Sequence, residues 1–201
     1  IQDRLLLAPT GNGWEQAISQ KEWEEIVCQL VLEETRADTV LLGDLPQINQ
    51  ISGVLTKKQI ADSLTIMDVV EVHRISGSSY SKFLSQVHAS SFISCGAKPS
   101  SKTSKVRGRP IDAAQMYFLS TTDQTRLSSE LKMLIPAHQS RKVWDHSGAE
   151  IRKMANGEYL SLRELVISRL ESEDGIASAE TIRERMNNQV EQEVIFRLRE
   201  V

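Results

Sequence analysis

Asp68 to Ser76, DVVEVHRIS, admits two readings that lead to different molecules. Apolar and polar residues alternate through VVEVHRI as they do in a half-buried strand. Asp68 is equally a good helix N-cap, and Val69, Val72 and His73 would then share one helical face. Periodicity alone does not choose between them. The residues just upstream, LTKKQIADSL (55–64), carry a capping box in Thr56 and Gln59 and a short apolar face in Ile60, Ala61 and Leu64. With Ala61 small enough for two helices to cross closely, a second helix starting at Asp68 completes a helix-turn-helix-like pair, in which Thr65 stands where the turn often has glycine.

Outward from this pair the chain reads as mainly α. SQKEWEEIVCQLVLEETRA opens with Ser19 and Glu22 as a capping box and repeats Trp23, Ile26, Val27, Leu30 and Val31 at helical steps. Leu45, Ile48, Ile51 and Leu55 keep helical phase after Asp44. Tyr80, Phe83, Leu84 and Val87 mark a helix, and MYFLS (116–120) is a short strand running into a helix that begins near Thr122 and ends at Pro136. Ser147 with Glu150 and Ser161 with Glu164 cap two further helices, and 176–201 reads as two more. The expected class is mainly α, with helix-turn-helix or winged-helix-like units and one or two short strands. The expected domains are 1–53, 54–135 with a basic loop at 97–111, and 136–201.

The net charge is −3, but it is unevenly placed. Residues 1–71 hold 12 acids and 5 bases, and residues 72–111 hold no acid and 7 bases, so one block is wholly cationic. A carboxylate-free block is what a phosphate backbone attracts. Lys98, Lys102, Lys105, Arg107 and Arg109 crowd the segment AKPSSKTSKVRGRP, whose alternative reading is a solvated linker. RGRP (107–110) is similar to the core of the AT-hook, in which two arginines lie along the floor of the minor groove.

Residues 54–131 also resemble, at the level of motifs, the amino-terminal region of phage regulatory proteins of the Rha and antirepressor kind. LTKKQIADSL, SSYSKFLSQVHASSF and RGRPIDAAQMYFLSTTDQTRL carry that resemblance. It implies a phage-type or mobile-element regulator that binds double-stranded DNA or another DNA-binding protein. Arg107 and Arg109 would insert into a groove, and Lys57, Lys58, Arg74, Lys98, Lys102 and Lys105 would contact phosphates. RNA is not excluded as a partner, and a homodimer is expected because twofold DNA-binding units commonly dimerise. The alternative from another class is a helical protein-interaction module with a basic tether.

No enzyme is expected. The four histidines lack metal-ligand spacing, and TGNGWEQ lacks the lysine and hydroxyl of a P-loop. No cofactor, metal or membrane partner is expected. Cys28 and Cys95 read as unpaired core or spectator thiols, which suits a reducing cytoplasm, with nucleoid association if the source is prokaryotic.

Overall fold

The computed structural model describes residues 5–7, 14–48, 51–53, 55–64, 68–87, 92–98, 105–135 and 161–172. Its centre is a mixed four-stranded sheet, not a helical bundle, so the mainly α expectation is overturned. The sheet is built from β3 (Thr39–Leu42), β6 (Val70–Ser76), β7 (Ile93–Cys95) and β11 (Met116–Thr122), in the order β6-β11-β3-β7. β11 runs parallel to β3 and antiparallel to β6, and β3 is antiparallel to β7.

DVVEVHRIS is therefore a strand, and the helix-turn-helix does not form. β6 pairs with β11 residue for residue from Val70↔Thr122 to Ser76↔Met116. Seven cross-strand pairs outweigh the N-cap preference of Asp68, because burial of both faces rewards the alternating pattern. β3 is buried along its whole length. Val40 and Leu42 join a core with α1 (Gln20–Thr35) and α6 (Leu162–Ser172), while Leu41 joins a second core with α3 (Gly77–Gln86) and α5 (Ser129–Leu134). Helices thus cover both sheet faces, as a layered α/β fold requires. The helical phase expected after Asp44 is also absent: residues 43–48 have no regular structure.

The helix starts are as their sequences dictate. Ser19 Oγ accepts from the Glu22 N–H while Glu22 Oε2 accepts from the Ser19 N–H at 2.9 Å, closing the box on α1. Ser161 and Glu164 repeat the exchange at the start of α6. Ser76 caps α3 and Thr122 caps α4 (Asp123–Arg126), a single turn followed by α5. α2 (Lys57–Ser63) is held by Arg163 of α6, which donates to the carbonyls of Ala61 and Leu64 at 2.6 Å each. The helices expected after Ser147 and over 176–201 lie outside the described residues.

Small antiparallel ribbons surround this body. β1 (Leu5–Leu7) pairs with β5 (Leu55–Thr56), and β2 (Trp14–Ile18) with β4 (Ile51–Gly53). The basic segment forms a third ribbon, β8 (Ala97–Lys98), β9 (Lys105–Val106) and β10 (Arg109–Pro110), in the order β10-β9-β8. RGRP is thus a tight hairpin: Arg107 and Gly108 both have positive φ, 48° and 76°, the signature of a primed two-residue turn.

Cys28 and Cys95 are joined in a disulfide that ties α1 to β7, in place of the free thiols expected. Their sequence separation is 67 residues. Closing so long a loop removes much freedom from the unfolded chain, and replacing both cysteines by alanine should cost about 2–4 kcal/mol in denaturant unfolding. Thiol titration of the unreduced, denatured protein should find both cysteines blocked, becoming reactive only after reductant is added.

Candidate functional site

β3 and β11 are parallel, so their carboxyl ends open at the same edge of the sheet, where α/β proteins commonly place ligands. A cleft of about 320 Å³ lies there. Gly43, Asp44 and Leu45 follow β3 into it, Gln124 and Thr125 follow β11, and Asp68 enters from just before β6. Ser128, Glu130, Leu42, Leu162 and Phe92 complete the lining.

Backbone exchange fixes these residues. Asp123 N–H donates to the Val69 carbonyl, and Val69 N–H returns the bond to Asp123 Oδ1, each at 2.9 Å. Leu162 N–H donates to the Asp68 carbonyl at 2.7 Å, so the start of α6 holds Asp68 from the other side. The 43–48 segment is fastened to α1 by Gln20, whose Oε1 accepts from the Ile48 N–H at 2.9 Å. Phe92 packs at a tilt against Phe83, ring centroids 6.1 Å apart.

A chain of hydroxyls crosses the cleft floor. Gly43 N–H donates to Thr125 Oγ1 at 2.9 Å, and Thr125 Oγ1 lies 2.8 Å from Thr122 Oγ1. The Thr122 hydroxyl also bonds the Asp68 carboxyl. A β-carbon on Gly43 would sit 3.3 Å from Thr125 Oγ1, a tight contact that would push the Thr125 side chain by a few tenths of an ångström.

The Asp68 carboxyl is shifted upward in the cleft. Burial pushes its carboxyl above the usual range, and the bond from Thr122 opposes this only in part, with Asp123 nearby adding to the rise. Its Oδ1 is buried without a hydrogen-bond partner. Such an oxygen costs stability unless something supplies a donor. Glu130, by contrast, is lowered, held by its own backbone N–H and by the Ser129 hydroxyl. Asp44, Asp68 and Glu130 give the lining three carboxylates, and among the described residues no Lys, Arg or His lines it.

Behind the cleft lies a second polar group. Glu71 on β6 is 4% exposed, and its Oε2 accepts from Arg126 Nε of α4 at 2.6 Å and bonds His73 Nε2 at 2.9 Å. Burial alone would raise the Glu71 carboxyl, but the bonds to His73 and Arg126 outweigh it and hold the carboxyl below its usual range.

Among the described residues, none of those expected to bind nucleic acid lines this cleft. Arg74 is exposed on β6, and Lys105 and Arg109 are exposed on the hairpin ribbon. Arg107 is partly committed within the molecule: its Nη2 donates to the Ala37 carbonyl at 3.0 Å and its Nε lies 3.7 Å from Asp38 Oδ1. Lys57 and Lys58 belong to the first turn of α2 and Lys98 to β8, while Lys102 lies outside the described residues. Asp68, Thr122, Gln124 and Thr125 were legible only as caps and helix residues, and the pairing of TTDQT with the end of a parallel strand is a tertiary fact. Among the described residues no group of three or more acidic, histidine or cysteine side chains is placed to hold a metal, and no helix is long and apolar enough to cross a membrane.

No family model and no curated protein matches the sequence. Solved structures share its fold. A 5'-nucleotidase precursor from Thermus thermophilus superposes with a TM-score of 0.57 at 12% identity, over 83% of this chain and 37% of that one. The NAD nucleotidase NadN of Haemophilus influenzae gives 0.56 at 13%, over 88% and 37%. The sulfate thiohydrolase SoxB from Thermus thermophilus, in complex with glycerol, gives 0.52 at 14%, over 83% and 33%. The chain therefore spans about a third of the length of these proteins. All three are enzymes by name, and the mixed α/β fold shared with them overturns the winged-helix DNA-binding regulator expected from the sequence.

Asp68→Asn tests the unpaired carboxylate. A carboxyl raised by folding binds its proton more tightly in the native state, so native stability falls as pH rises from the unfolded value near 3.8 through the folded one. The variant should be more stable than the parent at pH 7, and that gain should vanish below about pH 3.8, as read by urea unfolding at several pH values.

Proposed function

We infer that this chain is a ligand-holding domain of a larger nucleotidase-type enzyme, and that its cleft takes an uncharged, hydroxyl-bearing ligand of the nucleoside or sugar class. The observation that carries the reading is the lining of the cleft: hydroxyls, an amide and three carboxylates, with no cation among the described residues there. Carboxylates accept from sugar hydroxyls, and Asp68 Oδ1 is a buried acceptor with no donor of its own. Phe92 and Leu162 add an apolar wall on which a ring can rest. A phosphate would meet three acids and no partner for its charge, so the phosphorylated end of any ligand points out of the cleft. The volume lies at the low end of the usual range for small-molecule sites, which suits one nucleoside rather than a dinucleotide.

Support for membership in a larger enzyme comes from the shared fold and from the extent of the match, about a third of each neighbour. The disulfide supports an oxidising compartment over the cytoplasm, since thiols there are kept reduced.

Titration calorimetry with adenosine, ribose and adenosine monophosphate tests the reading. Adenosine or ribose should bind, the monophosphate should bind more weakly than adenosine, and Thr125→Val should weaken adenosine by about tenfold through the lost hydroxyl. Tighter binding of the monophosphate, or no binding of either uncharged compound, would overturn it.

A further inference from the structure

The cleft hangs on a helix too short to hold itself. α4 has four residues, and one isolated turn does not persist without tertiary support. It nevertheless supplies Gln124 and Thr125 to the cleft. Its far end is Arg126, whose guanidinium reaches Glu71 with Nε at 2.6 Å and Nη2 at 3.5 Å. This is the one side-chain ion pair of α4 among the described residues. The Arg126 side chain is 13% exposed and that of Glu71 5%, so water screens the pair little. His73 bonds the same Glu71 oxygen and fixes the rotamer that meets Arg126.

We propose that Glu71 is a positioning residue for the cleft: its carboxylate, bonded to His73 and Arg126, anchors α4 so that Thr125 stays on the Gly43 N–H and faces the ligand. This rests on the reading of the cleft as a ligand site, but half of it stands without any ligand. The link runs from Glu71 through Arg126 to its chain neighbour Thr125 and across to β3, joining two strands that do not pair with each other. Glu71 contributes through its charge as well as its shape. A carboxylate makes charge-assisted bonds to a guanidinium that an amide of equal size does not. Its influence should therefore fade in acid. The titratable and charged groups that face it are His73, from its own strand, and Arg126, from α4.

The experiment compares the parent chain with Glu71→Gln, and with Arg126→Lys, which keeps the charge but loses the planar fork. Two quantities are read: amide hydrogen exchange at Gly43, corrected for its intrinsic rate and referenced to Leu119 in the sheet centre, from pH 7 down to about pH 2.5, and adenosine affinity at pH 7. In Glu71→Gln, Gly43 should exchange about tenfold faster than in the parent at pH 7 while Leu119 is unchanged, and adenosine should bind about tenfold more weakly. In the parent, Gly43 exchange should approach that of Glu71→Gln only as the pH falls below the usual carboxyl value of 4.5, through the lowered folded one, and the variant should lack that step. If Glu71→Gln does not fold, Arg126→Lys carries the same expectations for Gly43 and adenosine at pH 7. Unchanged Gly43 exchange in whichever variant folds overturns the anchoring. Faster Gly43 exchange with a parent chain that binds no adenosine upholds the anchor and sinks the ligand reading instead.

Discussion

β11 is the strand on which everything else depends. It pairs along its full length with β6 on one side and, in parallel, with β3 on the other. A parallel pair cannot be joined by a tight turn, so the chain must travel away and return between them. The intervening residues include α2, β6, α3 and the edge strand β7. The same constraint sets the two carboxyl ends side by side, so Gly43 and Thr125, 82 residues apart, meet in one hydrogen bond. Two close approaches make room for this arrangement. The β-carbon that Gly77 lacks would fall 1.8 Å from the Asp112 carbonyl oxygen, and that of Gly96 2.5 Å from the Asp38 carbonyl oxygen.

The two helical layers divide labour. α1 and α6 bury Trp23, Ile26, Val27, Leu165 and Val166 against Val40 and Leu42, and the pairing of Arg169 with Glu33 at 2.9 Å joins these helices at their rim. Each fully buried large side chain is worth about 1.5–3 kcal/mol, so this layer supplies much of the cohesion. The other layer mixes apolar and polar contacts. Tyr80 reaches Thr39 Oγ1 at 2.8 Å through a hydroxyl whose pKa burial pushes up to about 12, so it stays a neutral hydrogen-bonding group throughout the physiological range. Polar side chains inside a sheet core fix register where apolar ones would allow slippage.

Much of the helical content was legible because it is locally encoded. Ser19 with Glu22, Ser161 with Glu164 and Thr122 ahead of DQT are caps whose partners sit within three residues, and each forms where the sequence places it. MYFLS was legible as a strand for the same reason. The sheet was not, because its deciding residues are ambiguous alone. DVVEVHRIS satisfies both periods, and only the presence of β11 beside it selects extension. TVLL, three apolar residues after a threonine, has the form of a fully buried strand, but four residues are too few for either period to show. The cleft was the least legible part. Its residues come from five separate segments, at 42–45, 68, 92, 124–130 and 162, and none carries a motif. The cationic block was real in the sequence but misleading as a groove reader. Its hairpin turns Arg107 back onto Ala37 and Asp38, where part of the charge serves to fasten a ribbon to the body.

The bond between Cys28 and Cys95 encloses β3, α2, β6 and α3 in one covalent ring, with β11 and α6 outside it. A protease that nicks the backbone anywhere inside the ring therefore releases no fragment. The two pieces stay joined through sulfur, and the α1 and β7 ends remain fastened to each other. Wherever proteases and oxidants are both plentiful, such a ring would turn a severed loop into a survivable injury rather than the loss of the fold.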